Sequence, residues 1–475
     1  MKVLKFGGTS LATAEAIGRA AEIIIRASRP TPLLVVVSAL GGVTNRLVAA
    51  IEQSLHDENA PRRIVNELYE DHRAVINSLL EGAFLKEALV VLDTQRLILE
   101  RRLTGVALLG ECPPRVRDTI LSAGERISQA IVAGTLRARG IKTEAPPAEE
   151  LILTNDHFGN ARVRFEETQT RVRQRIGNLQ NAVTVVAGFL GATEDGDVTT
   201  LGRDGSDYSA SIFAAAFGAE CVEIWSDVDG VLSSDPTLVS DATLLSTISY
   251  REAAELAFFG AKVLHPKSIL PLEKASIPVL MKNSSRPLAV GTLVQNDAPA
   301  GERPVKVLSA INDVTVLRVI ARKPGLSAHL AERFFNILNR LDIQPLMVSQ
   351  SSSDASFSLA VHTKHVRELR HDLHNELLMA GDSTLGDLRL EDDKALIALI
   401  GNGITTRVDV SALLFSTLQK EGVALSGYTF GVTASNISLL VDRSDAGRAL
   451  NLLHHVFVTE YSQTIGKNES LIQSA

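Results

Sequence analysis

An open, mainly parallel α/β sheet followed by two ferredoxin-like α+β units is the fold class the sequence predicts, on three observations. Over roughly the first three hundred residues, short apolar runs alternate with longer amphipathic stretches, the pattern of strands joined by crossover helices. Beyond Gly291, Thr292 and a polar stretch at 296–304, the chain repeats itself at an offset of 80 residues. Four polar, glycine-bearing clusters close apparent strands of the first part, at the edge where open α/β sheets bind ligands.

The runs at 3–6, 33–37, 183–187 and 221–225 are short and nearly continuously apolar, as strands buried on both faces are. Residues 14–27 and 124–138 carry apolar side chains at helical spacing between polar turns. In the repeat, Ile320 aligns with Ile400, Phe335 with Phe415, Leu338 with Leu418, Ile343 with Val423, and Ser358-Leu359 with Ser438-Leu439. The first copy reads as strand 314–321, helix 326–341, strand 344–349, hairpin turn and strand 357–361, which predicts a β-α-β-β-α-β unit.

At 475 residues the chain exceeds one core and suits three domain-sized units of about 150 residues. A composition 45% hydrophobic and 22% charged is that of a globular protein with a large core rather than a disordered one. The net charge of −7 is dispersed and leaves no basic field for a phosphate backbone, so nucleic acid is not expected as a partner. Cys112 and Cys221 form no CxxC pair, which removes a disulfide framework and a thiolate zinc site and fits a reducing cytosol. The N-terminus has no signal-peptide pattern, and no apolar run approaches the ~20 residues of a membrane-spanning helix, so a cytoplasmic protein without membrane partners is expected.

The first cluster, Lys5-Phe6-Gly7-Gly8-Thr9-Ser10, frees backbone N–H groups toward a phosphate, with Lys5 adding a charge; a tight strand-to-helix connection explains it equally. The second spans 38–45 and offers Thr44 and Asn45 after Gly41-Gly42, with helix capping the competing reading of Thr44. The third, Ser122-Ala123-Gly124-Glu125-Arg126, sets a carboxylate at a helix head, where the helix dipole alone accounts for an acid. The fourth, Leu201-Gly202-Arg203-Asp204-Gly205-Ser206-Asp207, follows a Thr-rich turn and opens a helix at 208–217. An Arg, a Ser and two Asp there suit a zwitterionic ligand, with Arg203 gripping a carboxylate bidentately. Ser226-Asp227-Val228-Asp229 and Phe259-Gly260-Ala261-Lys262 follow, Lys262 being a candidate phosphate ligand or an exposed helix-flank lysine.

Taken in order, KFGGTS, VTN, SAGER, LGRDGSD, IWSDVDGV and FGAKVLHP resemble the motif series of aspartate kinases in the amino-acid kinase family, and the paired C-terminal units resemble that family's ACT domains. The resemblance covers nearly the whole chain. It implies a three-layer amino-acid kinase fold over 1–295 and ACT regulatory units at 305–385 and 386–460, interleaved in topology. It also implies transfer of the ATP γ-phosphate, with Mg²⁺, to the β-carboxylate of L-aspartate, which opens lysine, threonine and methionine biosynthesis. Feedback by lysine or threonine and a homodimer or higher oligomer through the ACT units go with it.

By the same resemblance Lys5, Gly7 and Gly8 contact the transferring phosphate, and Thr44, Glu125, Arg203 and Asp207 hold aspartate, with Arg203 on the α-carboxylate and the two acids on the α-ammonium. Ser206 lies beside them, while Ser226, Asp227, Leu232 and Lys262 line the nucleotide site. Effector contacts fall on Leu326, Ser327, Ala328, His329, Gln350, Ser351, Ser352 and Ser353. Three positions depart from the family pattern: Leu232 stands where Tyr is usual, Thr237 where Arg is usual, and Asp204 where Asn or Gly is usual. Losing one charge-assisted phosphate contact costs roughly 1.5–3 kcal/mol. A different amino-acid kinase, or an ACT-type amino-acid sensor with impaired kinase activity, are the alternatives. His362, His365, His371 and His374 recur at short spacing among basic residues and read as a solvated helix face rather than metal ligands.

Overall fold

The computed structural model describes residues 1–28, 32–177, 182–260, 264–296, 303–321, 327–351, 356–373, 385–431 and 435–461. Two compact units divide the chain. The first comprises Met1–Val231, Leu244–Ala254 and Val263–Ala298; the second comprises Leu232–Thr243, Glu255–Lys262 and Pro299–Ala475.

The first unit begins β1 (Lys2–Phe6), α1 (Ala14–Ala27), β2 (Leu33–Val37), α2 (Val43–Ser54), α3 (Ala60–Leu79), α4 (Gly82–Leu109), α5 (Pro114–Leu121), α6 (Ala123–Ala138) and β3 (Thr143–Glu144). It continues with α7 (Phe165–Ile176), β4 (Val183–Ala187), the hairpin β5 (Leu190–Ala192) and β6 (Val198–Thr200), α8 (Gly205–Phe217), β7 (Cys221–Ser226) and β8 (Thr247–Ser249). After α9 (Tyr250–Phe258), which belongs to this unit as far as Ala254, come α10 (Pro266–Ala275), β9 (Val279–Asn283) and β10 (Thr292–Gln295).

Its main sheet has eight strands in the order β3-β4-β2-β1-β7-β9-β10-β8, parallel except for the β9–β10 pair. The Leu-Leu-Val-Val-Val run of β2 is buried throughout, because helices cover both faces. Strand alternation divides β1: Leu4 and Phe6 join the core that takes in α1, α2, α3, α4 and α6, while Lys5 points to the side of α8. The buried positions of α8 are mostly small, Ser209, Ala210, Ser211, Ala214 and Ala216 among them, so its backbone lies close over β1, β2 and β7. The predicted α/β class with a mainly parallel sheet is the class observed.

In the second unit, β11 (Val307–Ala321), α11 (Ser327–Arg340), β12 (Met347–Ser351), β13 (Ser356–His362) and α12 (Val366–Leu373) are followed by β14 (Leu385–Ile400), α13 (Val408–Lys420), β15 (Leu425–Phe430), β16 (Asn436–Asp442) and α14 (Arg443–His454). One antiparallel sheet runs β12-β13-β11-β14-β16-β15. Its two central strands are long and each is shared. The stretch from Val314 to Ile320 pairs with β13, whereas Val307–Ile311 pairs only with the far end of β14, Leu396 to Ile400. Register shifts at Asn312-Asp313 and around Asp392-Asp393 divide each strand, and Asp393 takes the left-handed conformation with φ 55°.

The strand expected at 314–321 therefore starts seven residues earlier than the sequence suggested, because Asn312-Asp313 reads as a turn and is a bulge. The strand expected at 344–349 is displaced to Met347–Ser351, beyond Pro345, which has no N–H for a ladder. The histidines are also redistributed: His362 ends β13, His365 sits in a 3-10 turn, His371 is on α12, and His374 lies outside the described residues. Residues 232–243 are built into this unit. Val239 joins the core of Leu308, Leu414 and Leu453, and the Leu308 N–H donates to Ser233 O at 2.8 Å. Ser233 Oγ lies 2.8 Å from Nε2 of the buried His454. Among the described residues no helix is long and apolar enough to cross a membrane.

Candidate active site

A cleft of about 500 Å³ opens in the first unit at the C-terminal ends of β1 and β2, against the N-termini of α2, α6 and α8. Of the residues predicted to act, Lys5, Gly8, Thr44, Glu125, Arg203, Ser206 and Asp207 all line it. Four distant stretches of sequence are thus brought to one wall.

Lys5 Nζ stands 2.7 Å from Asp207 Oδ1, with both side chains largely buried. At such burial each charge needs the other. Gly8 is fixed by space rather than by φ: a Cβ on it would lie 3.1 Å from Ala39 O, and one on Gly41 would lie 2.8 Å from the Ala12 Cβ. The two turns nest so closely that a Cβ on either would push its neighbour aside, and the glycines leave a bare backbone cradle beside the Lys5 ammonium. Ser10 braces this turn, its hydroxyl lying 2.8 Å from Ser284 Oγ and 3.2 Å from Trp225 O.

Thr44 is not a helix cap. Gly42 occupies the N-cap of α2 in the left-handed conformation, and Thr44 sits half-buried in the first turn. Glu125 is likewise no surface acid favoured by a helix dipole. It is 3% exposed, and its Oε2 has no hydrogen-bond partner among the described residues. Burial pushes its carboxyl up to about 8, against the backbone N–H groups of Ala39 and Glu125, which pull the other way. A buried carboxyl with an idle oxygen at the wall of a cleft is a group left for a ligand to satisfy. Arg203, by contrast, is 87% exposed, and its one ion pair among the described residues is with Asp204, at 3.7 Å. Asp204 itself caps α8 with φ 53°, a conformation that Asn and Gly, its usual substitutes, adopt readily.

Two features escaped sequence reasoning, one bracing the lining residues Gly159 and Thr200 from behind and one lining the cleft itself. Asp118, on α5, is fully buried and accepts from Gly159 N at 2.9 Å, Thr200 N at 2.8 Å and Thr200 Oγ1 at 2.9 Å. It thereby ties α5 to the end of β6, the strand into which the Thr-rich turn resolves; burial raises its pKa and the three donors oppose that. Phe189 lines the cleft with φ 69°, a strained conformation for an aromatic residue. Its N–H donates to Ser209 Oγ and its carbonyl accepts from Leu201 N, both at 2.9 Å. The flanking glycines of Gly188-Phe189-Leu190-Gly191 were the available signal.

Ser226, Asp227 and Leu232, expected at the nucleotide, do not line this cleft. Ser226 ends β7 in register with Asn283 at the end of β9, and Asp227 follows it; Asn283 Nδ2 donates to Asp227 O at 3.2 Å and to Asp229 Oδ1 at 2.8 Å, and Arg286 pairs with Asp229. They form a second polar group farther along the same edge of the sheet. Leu232 is half-buried and falls in the second unit, and Thr237 is spent locally, its N and Oγ1 bonding Asp235 Oδ1 at 2.8 and 2.7 Å. Lys262 lies outside the described residues, as do Leu326, Ser352 and Ser353. Ala328 is exposed in the first turn of α11 and Gln350 is exposed on β12; Ser327, His329 and Ser351 belong to those elements, without described side chains.

The profile of the amino acid kinase family matches residues 1–283, and that of the ACT domain matches residues 397–457. Lysine-sensitive aspartokinase 3 of Escherichia coli is 33% identical over 95% of this chain and 98% of its own length. The bifunctional aspartokinase/homoserine dehydrogenase of Haemophilus influenzae is 32% identical over 96% of this chain but 56% of its own, so the chain spans about half the length of such bifunctional relatives. Among solved structures, E. coli aspartokinase III in complex with aspartate and ADP superposes with a TM-score of 0.79 at 30% identity, covering 96% of this chain and 99% of that one.

Proposed function

Because the chain belongs to the amino acid kinase family, and within it to the aspartokinases, we propose that it transfers the γ-phosphate of ATP to the β-carboxylate of L-aspartate, giving 4-phospho-L-aspartate. The observation that carries this reading is Glu125, a buried carboxyl with an unused oxygen, in one cleft with the exposed Arg203 and the Lys5–Asp207 pair. An α-amino acid with an anionic side chain complements that set: its α-ammonium meets Glu125, its α-carboxylate meets Arg203, and its β-carboxylate lies toward Lys5.

The nucleophile is then the substrate's own side-chain carboxylate, ionised at neutral pH because its pKa is near 4, so no general base is needed. Lys5 neutralises charge where the phosphoryl group passes, and Asp207 holds the ammonium in place. The glycine cradle at Gly8 and Gly41 suits the close approach of phosphate oxygens to backbone. Mg²⁺ carried in on the nucleotide's phosphates would supply charge neutralisation there. Ser226, Asp227 and Lys262 are assigned to the nucleotide.

Residues 1–295 are assigned the chemistry and 305–385 and 386–460 the regulation, with lysine or threonine as effector, in a cytoplasmic homo-oligomer serving amino-acid biosynthesis. Lysine is favoured by the lysine-sensitive relative. Hydroxamate trapping of the acyl phosphate tests the proposal, with aspartate and Mg-ATP as substrates, beside Arg203→Ala and with lysine or threonine added. A signal that is present, lost in the variant and suppressed by one amino acid supports it. Effector binding with no signal at saturating ATP supports instead the sensor reading, which the occupied Thr237 favours.

A further inference from the structure

The helix α4 has 28 residues and packs against α3 and α6, yet it keeps an apolar stripe in solvent. Val90, Leu97 and Leu108 are 65%, 48% and 71% exposed. With Lys86, Asp93, Arg101 and Thr104, all exposed, they make one line along the outer face, with steps of 4, 3, 4, 4, 3 and 4 residues. That spacing is a palindrome about Leu97. Positions 4, 7 and 11 residues before Leu97 are matched by positions 4, 7 and 11 residues after it.

We propose that this face is a homotypic interface, in which α4 of one copy of the chain packs antiparallel against α4 of a second copy across a two-fold axis at Leu97. An isologous contact requires a self-complementary surface, and a palindromic stripe on an antiparallel helix is one. Leu97 meets its own counterpart, Val90 lies against Thr104 of the other copy, and the stem of Lys86 lies along Leu108. The charges agree: Asp93 and Arg101, equidistant from Leu97, fall opposite one another twice. Asp93 neighbours the Tyr69 hydroxyl, and Arg101 has no ion-pair partner among the described residues, so both can engage a second copy. Gly105, with nothing within 4 Å of where a Cβ would stand, lets the helices approach closely near their ends. Helices of this length share about 40 Å and bury on the order of 1,000 Å² together, the low end for a specific interface, so association in the micromolar range is expected. The surface is distinct from the ACT units at 305–385 and 386–460, through which the sequence predicts oligomerisation. If both operate, α4 joins dimers into tetramers.

Sedimentation velocity and light scattering of the full chain across micromolar concentrations test the proposal, with circular dichroism to verify folding. Leu97→Asp and Asp93→Arg are each expected to halve the mass at the highest concentration. The double variant Asp93→Arg/Arg101→Asp restores it, because the exchanged charges again face each other in both copies. Leu97→Cys gives a crosslinked dimer on oxidation with diamide, while Arg102→Cys, off the stripe, and the unaltered chain with its half-buried Cys112 and Cys221 do not. A mass unchanged by Leu97→Asp in a folded protein, a double variant that stays dissociated, or Leu97→Cys that crosslinks no better than Arg102→Cys overturns it.

Discussion

Lys5 and Asp207 meet at 2.7 Å although one ends a strand near the N-terminus and the other opens α8, so a buried ion pair joins two of the segments that shape the cleft. Breaking a buried pair from one side costs about 3–5 kcal/mol, since the remaining charge is stranded. Lys5→Met and Asp207→Leu should each destabilise the fold by that order in urea titrations. The double variant should recover most of the stability and none of the phosphoryl transfer.

The pH behaviour of Glu125 has a definite sign. Its carboxyl titrates near 8 in the fold and near 4.5 when unfolded, so between those values the native state holds a proton the unfolded state has lost. Stability of the ligand-free protein therefore falls as pH rises through that window, at up to about 1.4 kcal/mol per unit from this group. Glu125→Gln should abolish this part of the dependence in denaturation series from pH 5 to about 8. Aspartate, by bringing an ammonium to Glu125, should release up to about one proton on binding at pH 7, measurable by calorimetry in buffers of different ionisation enthalpy.

Arg203 stands outside the fold's energetics, being almost wholly exposed. Arg203→Ala should leave the melting temperature unchanged while raising KM for aspartate roughly ten- to a hundredfold, the cost of a charge-assisted contact. A loss of stability instead would show that the side chain has a structural partner.

Asp118 acts at one remove from the substrate. Asp118→Ala leaves the Gly159 and Thr200 donors unmatched, at a cost of about 1–3 kcal/mol for each one that stays buried. Asp118→Asn retains acceptor oxygen and should recover part of that in thermal unfolding. Both should raise KM for aspartate more than they lower kcat, because the Thr200–Gly202 wall moves while Lys5 does not.

In the second unit, burial lowers the pKa of His454 most, Arg303 and His455 add to that, and Asp241 opposes it. A histidine depressed in the fold contributes stability that is complete above its unfolded value near 6.5 and is lost as pH falls. Denaturation between pH 5 and about 7 should show that loss, and His454→Gln should flatten it. A slope unchanged in the variant assigns the acid sensitivity to other groups.

Much of the cleft was legible because its residues sit in contiguous motifs at strand ends, where glycine, charge and a following helix mark a ligand edge: Lys5, Glu125, Arg203 and Asp207 were all found this way. Asp118 was not, since an acid in Arg-Val-Arg-Asp-Thr-Ile-Leu looks like an exposed helix residue until β6 supplies its donors. The strand Val307–Ile311 was hidden for a related reason. Its partner is the end of β14, and a pairing across that separation leaves no local periodic trace. Likewise nothing in Ser233 to Val239 announces a place in the core of another unit, because only the tertiary fold brings His454 and Leu453 to it.

The shared strands bear on how the protein is made. Val307–Ile311 leaves the ribosome well before Leu396 to Ile400, its strand partner. At about 5–20 residues per second, it waits several seconds with its ladder groups open. Neither copy of the repeat can close its sheet until both have been translated. A stop codon before the end of β14 would therefore spoil the earlier copy along with the later one.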